Sequence, residues 1–127
     1  LQCGLNYTYG RTKTDSVNVP LDHIPPFMSR VALNYKREKF KAIFYTNYNA
    51  SKKLKDYLLN GEDNEQYATA VGMPAWITFN ISASYKIQKN IDLNFAVENM
   101  LDTQYRVFAS GMNAAGRNFI ISLRGKF

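Results

Sequence analysis

Side chains that commonly do chemistry are scarce in this sequence. Its 127 residues include one histidine, His23, and one cysteine, Cys3. A histidine-based metal cluster therefore cannot be assembled, and His23, between Asp22 and two prolines, is interpreted as an ordinary loop residue. Cys3 cannot form an intramolecular disulfide, so it indicates no redox compartment. Neither side chain points to a catalytic centre.

Carboxylates form one local cluster, in the longest connection between predicted strands. The cluster comprises Asp56, Glu62, Asp63 and Glu65. Their spacing does not match an EF-hand calcium loop, which needs ligands at alternate positions and a closing glutamate. We interpret them as solvated loop side chains, with ligand contact as the alternative. Because no nucleophile elbow, phosphate-binding loop or dinucleotide fingerprint is found, the sequence predicts neither an enzyme nor a bound cofactor.

The elements that carry these side chains are predicted to be β-strands, because apolar and polar residues alternate with a period of two. Six segments show the pattern: Leu1–Gly10, Phe27–Lys36, Lys39–Asn49, Ala75–Ile87, Ile91–Val97 and Gly116–Phe127. Short connections at Arg37–Glu38 and Gln88–Asn90 alternate with three long ones. This arrangement predicts an all-β fold, an antiparallel up-and-down meander of about six strands with long loops at one end.

Composition resembles that of a soluble domain, except in its aromatic content. The mean hydropathy is −0.35, and no apolar run approaches the roughly 18 residues of a membrane-spanning helix. Nine tyrosines, eight phenylalanines and one tryptophan, Trp76, favour β-structure. The net charge of +6 permits an anionic partner.

The apolar face of these strands suits either a soluble core or the lipid around a membrane barrel. Three features favour the barrel: strands of about ten residues, long loops at one end only, and aromatic residues near both ends of the apolar face. The aromatic sets are Tyr35, Phe40, Tyr85 and Phe127 near the short turns, and Tyr7, Tyr9, Phe27, Tyr48 and Phe119 near the long loops. Trp76 is interpreted as a further interfacial anchor.

Lysine and arginine residues at the polar positions of the predicted strands are concentrated near the short turns. They are Lys36, Lys39, Lys41, Lys86, Arg124 and Lys126. In a barrel they would line the periplasmic mouth of the lumen, either solvated or in contact with an acidic partner surface inside the barrel.

The C-terminal third, Ala96–Phe127, resembles the end of a TonB-dependent outer-membrane receptor. That family has a motif close to "ENLFD..Y" in its penultimate strand, and a Gly-Arg pair before a last strand that ends on Phe. The matching residues here are Glu98, Asn99, Asp102, Tyr105, Gly116, Arg117, Phe119 and Phe127, with Met100 and Leu101 where the family usually has Leu and Phe. Upstream, PLDHIPPFMSRVALNY resembles the family's "PL..IPP......L.Y" stretch.

The resemblance implies that residues 1–127 are a single partial domain, the C-terminal part of a large outer-membrane β-barrel. The plug and the earlier strands are then expected to be absent, with any export signal upstream. The family imports scarce ligands such as ferric siderophores, cobalamin or oligosaccharides, and nothing in the sequence selects one. Loops Ala50–Pro74 and Arg106–Ala115 are the candidate ligand-facing surfaces.

The expected partners follow from the same resemblance. They are outer-membrane lipid, the TonB complex through absent N-terminal parts, and the barrel-assembly machinery. The assembly signal would be the apolar parity of the last strand, Phe119, Ile121, Leu123 and Phe127. Unpaired sheet edges predict that the isolated chain self-associates.

A soluble β-domain that binds nucleic acid or carbohydrate is the alternative function. Sheets that bind single-stranded nucleic acid place cations and stacking rings along one groove, whereas here they segregate onto opposite parities. Nucleic acid is therefore not an expected partner. A carbohydrate-binding sandwich would need a second sheet to close its apolar face.

Overall fold

The computed structural model describes residues 1–14, 17–58, 61, 63 and 65–126. Its strands are β1 (Gln2–Asn6), β2 (Arg11–Thr14), β3 (Val17–Pro20), β4 (Met28–Arg37), β5 (Phe40–Asn49), β6 (Lys52–Lys53), β7 (Gly72–Met73), β8 (Trp76–Gln88), β9 (Ile91–Glu98) and β10 (Asn118–Gly125). Short 3₁₀ helices span Leu54–Asp56 and Glu65–Tyr67. Within these ranges, no helix has the length and apolar character needed to cross a membrane.

Six strands form one antiparallel sheet in the order β1-β4-β5-β8-β9-β10. The predicted meander is confirmed, and each of the six alternating segments overlaps one of these strands, although β4, β8 and β9 each extend one residue further. The remaining strands form two small hairpins, β2–β3 and β6–β7, inside the long connections. The β2–β3 hairpin was not predicted, since its strands have only four residues each, too few for a period to be recognised.

The strand register separates two faces of the sheet. Leu33, Phe44 and Ile81 are paired neighbours on one of them, the apolar face. Arg30, Asn47 and Thr78 are paired neighbours on the other, the polar face. There the Arg30 guanidinium lies 3.9 Å from the centre of the Tyr45 ring, a cation–π contact that orders the cation.

Connections at the two ends of the sheet differ in length. Two-residue turns, Glu38–Lys39 and Lys89–Asn90, join β4 to β5 and β8 to β9. Both lie within one residue of their predicted positions, and Glu38 has a positive φ of 45°. The opposite end carries three long connections, residues 7–27, 50–75 and 99–117, which we call loops A, B and C.

Burial in this segment is inverted relative to a water-soluble protein. Side chains of the apolar face are open, with Leu33 54% and Ile121 74% exposed, and no second sheet covers them in the described part of the chain. Buried residues are mostly polar, including Asn49, Thr78 and Asn80, and they lie where the loops meet the polar face. Such a distribution is typical of a barrel wall with lipid outside and a polar lumen.

Aromatic pairs lie near both ends of the apolar face. Tyr35 and Phe40 have ring centres 6.2 Å apart near the turns. Phe27 and Tyr48 have ring centres 6.3 Å apart near the loops. These positions match the two aromatic girdles of a membrane barrel.

Candidate functional site

Loops A, B and C contact one another through main-chain groups. The Ala50 amide of loop B donates a 2.8 Å hydrogen bond to the Phe27 carbonyl of loop A. Arg106 of loop C donates from Nη1 to the Tyr67 carbonyl of loop B at 2.7 Å. The loops therefore form one connected cap instead of three independent segments.

A buried ion pair, Lys52–Asp63, lies within this cap. The Lys52 Nζ is 2.8 Å from Asp63 Oδ2, and the two side chains are 5% and 1% exposed. The same ammonium donates to the Ile24 carbonyl of loop A at 2.8 Å. The second carboxylate oxygen, Oδ1, accepts the His23 amide hydrogen at 2.9 Å. Both members of the ion pair thus also form a hydrogen bond with the backbone of loop A.

Two aromatic rings close the site around the ammonium. The Lys52 Nζ lies 4.5 Å from the Tyr57 ring centre and 4.4 Å from that of Phe108. Tyr57 belongs to loop B and Phe108 to loop C, and their ring centres are 6.3 Å apart. Cation–π attraction strengthens when the cation is desolvated. Residues of all three loops therefore meet at Lys52, an arrangement that we call the three-loop junction.

The acidic cluster proves not to be a uniform set of solvated carboxylates. That interpretation is wrong for Asp63, which is buried and ion-paired. Asp56 is partly exposed and lies 3.8 Å from Arg11 of loop A. Glu62 and the side chain of Glu65 lie outside the described residues. Sequence separation explains the error, because the His23 amide that donates to Asp63 lies 40 residues away.

A cleft of about 300 Å³ opens between loops B and C. Its wall includes Trp76 and Tyr105, whose ring centres are 4.2 Å apart, together with Tyr67, Gln104, Arg106 and Asn113. Arg106 is fixed by Asn113 Oδ1, which accepts from Nε and Nη2 at 3.2 and 3.0 Å. The Trp76 Nε1 is buried and has no hydrogen-bond partner in the described part of the protein. The cleft combines aromatic surface with preordered donors.

Trp76 does not face the side of the sheet expected of an interfacial anchor. It pairs in register with Asn49 and shares the polar face with Thr78. The interpretation of Trp76 as an anchor is therefore wrong, and the ring is instead part of the cleft. Its even spacing from Thr78 and Asn80 was the sequence signal for this orientation.

Residues of the family motif form the corner between β9 and β10. Asn99 is 3% exposed and adopts a φ of 49°. Its Nδ2 donates to the carbonyls of Thr103 and Ala115 at 2.9 and 3.3 Å. Its Oδ1 accepts from the Thr103 amide at 2.9 Å, and its own amide donates to Asn80 Oδ1 at 2.9 Å. One buried asparagine therefore ties both ends of loop C to β8.

Asp102 also stabilises this corner through a hydrogen bond to the main chain. Its Oδ1 accepts the Arg117 amide hydrogen at 2.7 Å. A Cβ on Gly116 would lie only 2.5 Å from that oxygen, so a residue larger than glycine would displace the carboxylate. Glu98 pairs in register with Asn118 on the polar face, and Tyr105 contacts Trp76. In the described residues, the motif thus builds the corner and one wall of the cleft.

Three residues of the expected assembly signal lie on β10, an edge strand of the sheet. Phe119, Ile121 and Leu123 share the apolar face of β10 and are 65%, 74% and 68% exposed. Phe127 lies outside the described residues. Their role in assembly stays a prediction.

Reasoning from sequence missed Lys52, Phe108 and the position of Arg106. Lys52 lies in a run of loop lysines that resembles solvent-exposed charge, and Phe108 is one aromatic in an otherwise mixed loop. No local pattern distinguishes them. Among the described residues, no three His, Cys, Asp or Glu side chains are grouped as metal ligands would be.

The sequence model of the family "TonB dependent receptor-like, beta-barrel" matches residues 1–100. No curated protein matches the sequence. The fold is similar to the solved structure "Copper transporter OprC", with 22% sequence identity and a TM-score of 0.79 over 98% of this chain and 20% of that chain. The chain thus spans about one fifth of the length of that transporter, and the likeness concerns the fold alone.

Proposed function

Because the chain belongs to the family of TonB-dependent receptor-like β-barrels, we propose that it is part of a receptor for TonB-energised uptake of a scarce nutrient. The family is one of the outer membrane, so the segment is a part of an outer-membrane β-barrel. The inverted burial of its sheet is the observation that supports this best, since exposed apolar side chains such as Ile121 need a lipid environment. Outer-membrane lipid is accordingly the proposed partner of the apolar face.

The proposed ligand-facing surface is the cleft between loops B and C. The cleft lies on the polar face, which borders the lumen in a barrel, at the end that bears the long loops. Its Trp76 N–H and its Arg106 guanidinium are donors, so an oxygen-rich ligand suits it. Ferric siderophores, cobalamin and glycans all meet this description. Copper is the cargo named for the transporter of similar fold, and fold likeness at 22% identity does not extend that cargo to this chain.

Uptake is tested in cells that lack the receptor and are given back the full-length protein. We expect them to regain accumulation of one of three radiolabelled probes, a ferric trihydroxamate, cobalamin or a maltooligosaccharide. Deleting TonB should abolish the gain, because the proposed transport is energised through it. Accumulation that persists without TonB would contradict the proposal.

Replacing Arg106 with alanine should weaken binding of the accumulated probe about tenfold, the loss expected for a charged hydrogen bond in a partly buried site. Binding is measured on the purified full-length receptor by titration calorimetry. The companion variant carries β-(3-benzothienyl)alanine in place of Trp76, because that residue keeps the bicyclic ring and removes only the N–H. Since the N–H has no partner in the described residues, this replacement should weaken binding without lowering the unfolding temperature.

Arg11→Ala serves as the control for the cleft, because Arg11 lies in loop A and forms a partly exposed ion pair with Asp56. Its affinity for the probe should equal that of the wild type. If Arg106→Ala and Arg11→Ala bind the probe equally well, the cleft is not the ligand site, whereas TonB-dependent uptake would still stand.

Recognition by the barrel-assembly machinery is the proposed role of the last strand. Phe127→Ala should lower the amount of receptor in the outer membrane before it changes ligand affinity, since the terminal aromatic is read during insertion. Quantitative blotting of outer-membrane fractions measures this, with the adjacent Lys126→Ala as control. Normal membrane levels of Phe127→Ala would refute the proposed signal.

The soluble alternatives have no support from these findings. A carbohydrate-binding sandwich needs a sheet over Leu33 and its neighbours, and the described residues provide none. A domain that binds nucleic acid is inconsistent with an outer-membrane family.

A further inference from the structure

One cation of the six-stranded sheet lies on the apolar face. In the strand register Arg37 pairs with Phe40, and Phe40 pairs in turn with Tyr85, so the three side chains form one row toward lipid. The other cations in the described strands of this sheet lie on the polar face, and they are Arg30, Lys36, Lys41, Lys86 and Arg124. Arg37 is thus the exception to the separation of charged and apolar side chains.

Arg37 is the last residue of β4 and lies beside the aromatic pair at the turn end. Tyr35 precedes it by two residues on the same face, and the rings of Tyr35 and Phe40 have centres 6.2 Å apart. Tyrosine is enriched at the level of the lipid headgroups. Arginine on the lipid face of a barrel is strongly destabilising at the bilayer midplane and nearly neutral close to the interfaces. Both considerations put the Arg37 guanidinium at the depth of the headgroups.

The described part of the chain supplies no counterion for Arg37. Its side chain is exposed and takes part in none of the ion pairs found among the described residues. The adjoining turn contains one acid, Glu38, and a second exposed cation, Lys39. The Lys39 carbonyl accepts the Lys86 amide hydrogen at 2.9 Å, which fixes this turn against β8. Two cations and one carboxylate therefore leave a net positive charge at the lipid boundary.

The orientation of Arg37 selects the partner of this charge. The contents of the lumen lie behind the opposite face of the sheet, whereas each phospholipid beside the apolar face carries a phosphate in its headgroup. A guanidinium fork matches two phosphate oxygens, and clustered Lys and Arg side chains attract anionic lipids. We propose that Arg37, assisted by Lys39, binds the headgroup phosphate of an anionic phospholipid on the periplasmic side, where the short turns of such barrels lie. The inference rests on the outer-membrane position of the segment and is independent of the nutrient.

Photocrosslinking from the lipid headgroup tests the contact. The full-length receptor is reconstituted in vesicles of phosphatidylethanolamine and phosphatidylglycerol, with a trace of one lipid or the other carrying a headgroup diazirine that leaves its charge unchanged. We expect the phosphatidylglycerol probe to label the peptide that contains Arg37 more strongly than the phosphatidylethanolamine probe, as measured by mass spectrometry. Equal labelling of this peptide by the two probes would overturn the proposal, because the site would not select an anionic lipid.

Arg37→Gln should lower labelling by the phosphatidylglycerol probe about fivefold, the factor that one cation beside an anionic membrane surface contributes. Lys36→Gln is the matched control, because it removes the same charge one residue away on the polar face, and it should be labelled like the wild type. Arg37→Lys keeps the charge and loses the fork, so its labelling should lie between those of the wild type and Arg37→Gln. All variants are compared at equal amounts of folded receptor, measured by heat-modifiable migration. Equal labelling of Arg37→Gln and Lys36→Gln would contradict the proposed site.

Inorganic phosphate distinguishes a lipid headgroup from a free anion. Labelling by the phosphatidylglycerol probe should be the same in excess inorganic phosphate as in sodium chloride of equal ionic strength, because the lipid is held at the membrane surface beside Arg37. Loss of labelling in phosphate alone would mean that the site takes the free anion, and would overturn the assignment to lipid. The preference for phosphatidylglycerol and its loss in Arg37→Gln would support the inference even if none of the three nutrient probes were transported. Their absence would overturn it even with uptake intact.

Discussion

Replacing Asp63 with asparagine in the full-length receptor is expected to open the loop cap locally. The substitution keeps the volume and removes one charge, leaving the buried Lys52 ammonium without a counterion. Loss of one partner of a buried ion pair costs about 3 to 5 kcal/mol. Hydrogen exchange of the loop amides, followed by mass spectrometry, should therefore accelerate about a hundredfold or more. The sheet itself, which does not depend on this pair, should keep its protection.

Two further variants distinguish loss of the buried ion pair from loss of any carboxylate in loop B. Asp56→Asn removes a carboxylate from the same loop, but its ion pair with Arg11 is partly exposed and 3.8 Å long, so a change below about 1 kcal/mol is expected. The apolar pair Lys52→Met/Asp63→Leu should be less damaging than Asp63→Asn, because no charge is left buried. Equal exchange rates in Asp63→Asn and Asp56→Asn would show that the three-loop junction does not hold the cap together.

The second large effect is expected at Asn99. Asn99→Ala removes three side-chain hydrogen bonds and places alanine at a φ of 49°. Each lost bond costs about 1 kcal/mol, and the left-handed conformation costs a non-glycine residue about 1 kcal/mol more. A total of about 4 kcal/mol should lower the temperature at which the receptor loses its folded, heat-modifiable migration on gels.

Asn99→Gly separates the two causes. Glycine accepts the positive φ freely, so this variant should recover the conformational part and lose only the hydrogen bonds. Asn94→Ala, on the polar face of β9 but outside the corner, is the control. If Asn99→Ala unfolds at the temperature of Asn94→Ala, the corner is not a main determinant of stability.

The sheet could be predicted from the sequence because each strand has two different faces. A one-residue slip would move Ile121 to the lumen and Arg124 to lipid, so the alternation determines the register as well as the strands. Phe119, Ile121 and Leu123 of β10 were assigned to the correct face in this way. The same holds for the strand cations Lys36, Lys41, Lys86 and Arg124, whereas Lys39 and Lys126 lie outside the strands and Phe127 lies outside the described residues. The β4–β5 turn was displaced by one residue, whereas the predicted Gln88–Asn90 connection includes the observed Lys89–Asn90 turn.

The three-loop junction could not be predicted, because its parts are brought together only by the completed fold. Lys52 meets Ile24 across 28 residues and Asp63 meets His23 across 40. Charged side chains in loops are usually solvated, and this expectation led to the wrong prediction that Asp63 is exposed to solvent. Trp76 was misassigned for a different reason. Its two-residue spacing from Thr78 places both side chains on the same, polar face, but the interpretation relied on the frequency of tryptophan at membrane interfaces. The motif residues were identified by resemblance, and their hydrogen bonds became evident only in the structure.

The buried ion pair of loop B is stabilised by main-chain groups of loop A more than by side chains of loop A. The Ile24 carbonyl and the His23 amide are groups that almost any sequence supplies, and Lys52 and Asp63 are both encoded within loop B itself. A chimeric receptor that inherits loop B from a relative should therefore tolerate an unmatched loop A, provided that loop A keeps its backbone path. The recipient must contribute Phe108 at the three-loop junction, and Arg106 of loop C and Arg11 of loop A supply further side-chain contacts to loop B. Recombination is then expected to exchange loop B as a cassette, which offers a physical route by which such receptors diversify.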